Sequence, residues 1–194
     1  MTGLRNSVAL FLLLVLSVSC SRTETYRQYA KSLDSLSGAL NQNTDALRKM
    51  DTALLQRALT RYYQNKQFIL YNCKDTLSKA EADALQLFYA GGKNLELVKA
   101  NREALLMRSM LINSQLDKLR ADVKNNSLNP EGVYTFLATE KEEVHRTIQL
   151  GNAQLKLFYS SVEEFKLSLR EVEQFIRSRN KGQMPTVVKD TLSL

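Results

Sequence analysis

The chain has 194 residues with only 7 Gly and 2 Pro, 44% hydrophobic and 24% charged residues, which excludes turn-rich sandwiches and barrels, disorder by composition, and a polytopic membrane protein. One His and 2 Cys leave almost no material for a metal or thiol site. The net charge of +7 is uneven along the chain, its excess falling in residues 20–77 with 9 Lys/Arg against 5 Asp/Glu, but over so many residues it forms no concentrated basic stripe; this suits weak attraction to anionic lipid or envelope polymer and disfavours nucleic acid as a partner.

The N-terminus reads Met1-Thr-Gly-Leu-Arg5, an apolar run from Val8 to Leu16, then Ser17-Val18-Ser19-Cys20. A short basic region, a hydrophobic core and small residues form a signal-peptide layout over residues 1–19, too short to span a bilayer. A Cys directly after the small residues resembles the lipobox of bacterial lipoproteins, over residues 1–20 only. The usual pattern has Leu three positions before the Cys; here Ser17 stands there and Leu16 one place further back. The resemblance implies that Cys20 is acylated, with palmitate-like chains, and becomes the first residue of the mature protein. Ser21 after it resembles the sorting pattern for outer-membrane retention. Several acyl chains would hold the protein far more firmly than one.

A first long helix is expected over about 23–71. Tyr26, Tyr29, Leu33, Leu36, Leu40, Asn43, Leu47, Met50 and Leu54 recur three and four apart, a heptad seam. The stripe then shifts through Leu55, Leu59, Tyr62, Ile69 and Leu70 and meets a turn at Asn72 to Asp75. Ser78-Lys-Ala-Glu81 is a capping box that opens a second helix over 78–125. Its seam runs Ala84, Phe88, Gly91, Leu95, Val98, Arg102, Leu105, Ser109, Ile112, Leu116, Leu119 and Val123. Asn129-Pro130 supplies a cap and a first-turn proline for a third helix over 130–181, with seam residues Leu137, Lys141, Val144, Ile148, Gly151, Leu155, Phe158, Val162, Phe165, Leu169, Val172 and Ile176. Gly182 ends it.

The last two seams interlock as a hairpin symmetric about Pro130, pairing Val123 with Leu137, Leu116 with Val144, Leu105 with Leu155, Leu95 with Phe165 and Phe88 with Val172, with Gly91 facing Leu169. The expected fold is all-α, a long up-down-up three-helix antiparallel bundle or coiled coil over residues 20–182. Each rod would be roughly 70 Å long at 1.5 Å per residue, with a tail over 183–194.

Candidate chemistry is sparse. Glu142-x-x-His145 has the spacing of di-iron carboxylate bundles, but no second His exists to complete such a site. Cys73 reads as an inert, partly buried thiol, since about 75 Å of continuous helix would separate it from Cys20, against roughly 6 Å for a disulfide. Gly91-Gly92 in mid-helix costs about 2 kcal/mol relative to Ala and implies close packing of a bulky neighbour. Arg102, Lys141 and Asn43 at seam positions set register. No phosphate loop, dinucleotide fingerprint or nucleophilic triad appears, and no catalytic, metal or cofactor residue is assigned.

The leading expectation is a lipid-anchored protein of the bacterial envelope, on the periplasmic or surface face of the outer membrane, acting as a binding or spacer module and not as an enzyme. Its partners would be the membrane through acylated Cys20, another protein, and a second copy through the coiled-coil surface. Tyr62, Tyr63, Asn72, Asp75, Tyr89 and Tyr159 are the candidate interaction residues. The alternative is a periplasmic helical-bundle sensor or carrier for a small apolar ligand, which requires an open apolar space near Gly91, Gly92 and Phe165 or around Tyr62 to Leu70.

Overall fold

The computed structural model describes residues 2–74, 76–125 and 127–185, with side chains described from Glu24 onward. Cys20, Asp75 and the tail beyond residue 185 therefore lie outside the described side chains. The chain is all-helical, with no strand among the described residues: α1 Thr2–Lys49, α2 Thr52–Asn72, α3 Lys79–Asn125 and α4 Pro130–Arg179. No helix among them is long and apolar enough to cross a membrane.

Four helices stand where the seam predicts three, because the first stripe is divided at Met50-Asp51. Asp51 is the N-cap of α2, its Oδ1 accepting from the Leu54 amide at 2.7 Å. Arg48 and Lys49 occupy the last turn of α1, where cations suit the negative helix end. Met50 and Leu55, the residues before and four after the cap, are both buried in one cluster, as in a hydrophobic staple. Arg102 completes the break: its Nε donates to the Leu47 carbonyl at 2.9 Å and its Nη2 to that of Arg48 at 3.4 Å. A guanidinium from α3 thus satisfies carbonyls that the interruption of α1 leaves open. Arg102, which the seam reading takes for a register device, caps the end of α1.

The other ends form as their sequences dictate. Ser78 and Glu81 make the reciprocal capping box, Ser78 N–H to Glu81 Oε2 at 2.7 Å and Glu81 N–H to Ser78 Oγ at 3.3 Å. Those bonds, the backbone one first, hold the Glu81 carboxyl below its usual range. Asn129 Oδ1 accepts from the Gly132 amide at 2.7 Å ahead of Pro130. α4 stops two residues earlier than expected, at Arg179, because Lys181 and Gly182 turn left-handed (φ 49° and 81°) and the Gly182 amide returns to the Arg177 carbonyl at 2.8 Å.

The chain forms two compact units. The first comprises Met1–Asp45 and Leu105–Leu150, the second Ala46–Ala104 and Gly151–Leu194. In the first, Leu33 and Leu40 of α1 pack with Ile112, Leu116 and Val123 of α3 and Val133 and Val144 of α4. Tyr26 and Tyr29 donate their hydroxyls to the carbonyls of Leu128 and Pro130 at 2.6 and 3.2 Å, tying α1 to the α3–α4 turn. Asp34–Arg120 at 3.0 Å and Asn41–Asn113 at 2.9 Å join α1 to α3, and Arg108 pairs with Glu143 across α3 and α4. In the second unit α2, α3 and α4 enclose an aromatic core, with Arg61–Glu173 at 2.6 Å and Glu81–Arg179 at 3.5 Å outside it.

Every α3 seam residue named above is buried or half-buried. α4 differs. Beside the expected stripe it buries a second lane at seven-residue intervals, Val133, Thr147, Gln154, Ser161, Ser168 and Phe175, with Glu140 half-buried between the first two. Between Val133 and Phe175 the lane is polar, and an apolar periodicity cannot reveal it. Gln154 shows its direction by accepting from Asn101 of α3 at 3.3 Å. α4 packs on two helices at once, so its buried arc is wider than one seam.

One expected facing in the hairpin differs. The three atoms nearest a Cβ at Gly91 all belong to Phe165, its Cα at 3.4 Å, where the expected partner is Leu169, one helical turn further on.

Candidate functional site

The sequence-predicted residues converge only in part, and they do so in the second unit. Tyr62 is 3% exposed and its ring stands 5.3 Å from that of Phe88 and 6.3 Å from that of Phe165; Phe88 and Phe165 stack at 5.4 Å. Gly92 makes this possible. A Cβ there would fall 2.1 Å from Tyr62 ring carbons, so the ring lies directly on the α3 backbone. α3 continues unbroken through Gly91-Gly92, and the space that a carrier would keep open is filled by three rings.

Tyr63 and Tyr89 flank this core, with ring centroids 5.4 Å from Tyr62 and 5.6 Å from Phe88. Burial, and then the Glu96 carboxylate to which its hydroxyl is bonded, push the Tyr63 pKa up to about 12. Burial likewise raises Tyr89, with smaller contributions from Tyr62 and Cys73. Cys73 is half-buried and packs against the same cluster. Tyr159 is not part of the site: it is 62% exposed and packs edge-on with its neighbour Phe158.

Asn72 lies at the last turn of α2, where a groove of about 450 Å³ opens between α2 and the segment after α4. Its walls carry the carboxamides of Gln64, Gln67 and Asn72 on one side and Asn180 and Gln183 on the other; Phe68, Tyr71, Met184 and Pro185 supply the apolar surface. Asn72 Nδ2 donates to the Phe68 carbonyl at 3.1 Å and Asn180 Nδ2 to that of Gln183 at 3.0 Å, fixing both amides. No lining side chain is charged. Sequence reasoning finds Asn72 here as a turn residue. It misses Gln64 and Gln67, which lie on the same helix but follow no motif, and Asn180 and Gln183, which lie more than a hundred residues further along the chain.

Elsewhere the chemistry is thinner. His145 and Lys141 line a groove of about 560 Å³ with Lys31 and Tyr134 in the first unit, but no group of three metal-ligating side chains converges among the described residues. Glu140, raised by burial and then by Glu143, keeps one carboxylate oxygen buried without a hydrogen bond. An apolar cleft of about 160 Å³ beside Ala84, Val172 and Phe175 is smaller than the roughly 300–1,000 Å³ of small-molecule sites. The chain matches no protein-family model, no curated protein and no solved structure.

Proposed function

We propose that this chain is a lipid-anchored protein of the bacterial envelope that works as a binding and spacing module, its helices arranged as an up-down-up antiparallel bundle. The reading starts from residues 1–20, whose basic start, apolar run and Ser17-Val18-Ser19-Cys20 end supply an export signal and an acylation site. One structural observation supports binding over catalysis or carriage: the second unit closes its interior with Tyr62, Phe88 and Phe165 and leaves its polar recognition chemistry at the surface, at the end of α2. The membrane is the first partner, through Cys20; a second is engaged at the groove beside Asn72.

Mass spectrometry of the mature N-terminus tests the anchor. The expected result is a chain beginning at Cys20 with diacylglycerol and fatty-acyl additions, lost in Cys20→Ser along with detergent partitioning. An unmodified N-terminus at Ser21 or beyond, or no change in partitioning for Cys20→Ser, overturns it.

A further inference from the structure

We infer that the groove at the end of α2 binds a neutral oligosaccharide, which names the ligand class of the binding surface and rests on the module reading above. A quarter of the chain is charged, yet the groove presents five carboxamides and no charge. Each carboxamide donates and accepts, the pattern that a sugar hydroxyl or acetamido group also offers. Asn72 and Asn180 are oriented in advance by their backbone bonds, so their Oδ1 atoms are left to accept from a ligand at little ordering cost.

Tyr71 supplies the other half of the recognition. Its side chain is 76% exposed at the groove wall, an apolar ring with a polar tip and no aromatic partner among the described residues. Such a ring stacks on the C–H face of a pyranose while the amides take its hydroxyls. A volume of about 450 Å³ lies within the usual range for small ligands. An anionic polymer finds no cation among the lining side chains, and a peptide finds no open strand edge to extend.

The test is saturation-transfer NMR on the full chain in a sugar-free detergent, with chitotetraose and maltotetraose as probes and tetragalacturonate and tetra-alanine as controls. The expected result is transfer to the ring C–H protons of at least one neutral tetrasaccharide, weakened tenfold or more by Tyr71→Ala and by Gln67→Ala, and unchanged by Tyr134→Ala in the other unit. Absence of transfer to both sugars, equal transfer in Tyr71→Ala, or preference for either control overturns the inference. Cys20→Ser separates the two readings: it abolishes membrane partitioning if the anchor is right and leaves sugar binding intact if the groove is right.

Discussion

Gly92→Ala carries the sharpest energetic consequence of this packing. In an exposed helix interior the change stabilises by about 1 kcal/mol, because Gly loses more backbone freedom on folding. Here the new methyl would stand 2.1 Å from Cδ2 and Cε2 of Tyr62 and 2.5 Å from Cζ, far inside contact distance. The ring has nowhere to retreat: Tyr62 is 3% exposed and is flanked by Phe88 and Phe165. Overpacking costs about 1–3 kcal/mol and lost aromatic pairing about 0.5–1.5 kcal/mol for each pair. Net destabilisation of about 1–3 kcal/mol remains after the propensity gain. Urea unfolding followed by far-UV circular dichroism measures it. The control is the same substitution in a Tyr62→Leu background, where the clash is gone and Ala should stabilise by about 0.5–1 kcal/mol. A Gly92→Ala protein as stable as wild type, or an equal loss in both backgrounds, refutes the packing argument.

Gly38→Ala, with nothing within 4 Å of its Cβ position, should raise stability by about 1 kcal/mol in the same assay. Asp51→Ala, which removes the α2 cap, should cost about 0.5–2 kcal/mol. Arg102→Met should cost about 1–3 kcal/mol by leaving the Leu47 carbonyl without its donor; unchanged urea midpoints would refute both cap assignments. Because folding holds Tyr63 neutral, its contribution is complete below the ordinary pKa of 10.0 and is lost as pH rises toward about 12. Absorbance titration should therefore place Tyr63, with Tyr89, among the late phenols, and Glu96→Gln should bring Tyr63 earlier but not to the ordinary value, since burial is the larger cause.

How much of this was legible beforehand depends on which signal each residue carries. The capping box at Ser78 and the cap at Asn129 were readable because local hydrogen bonding alone decides them. The α3 seam was readable because apolar residues mark most of its positions. The break at Asp51 carried a local signature too, basic residues followed by an acidic cap, but Met50 and Leu54 kept the apolar spacing intact across it. Arg102 looked like a register device because its actual partner, the end of α1, exists only once that break is known. The polar lane on α4 and the amide groove had no such marker, since uncharged polar residues score as surface whether they end buried or not.

Asn65 shows how that blind spot bears on energetics. It is fully buried in α2, and neither its Oδ1 nor its Nδ2 has a hydrogen-bond partner. A buried amide left unpaired costs about 1–3 kcal/mol, whereas a Leu of similar volume would bury apolar surface in the same place. Asn65→Leu should then stabilise the protein by about 1–3 kcal/mol if the amide is dry. An internal water bridging both amide atoms would reverse the sign, because Leu would evict it and strand whatever else it bonds. The direction of the shift in urea midpoint therefore decides whether the interior beside the aromatic core is dry; a loss of stability on Asn65→Leu refutes the dry reading.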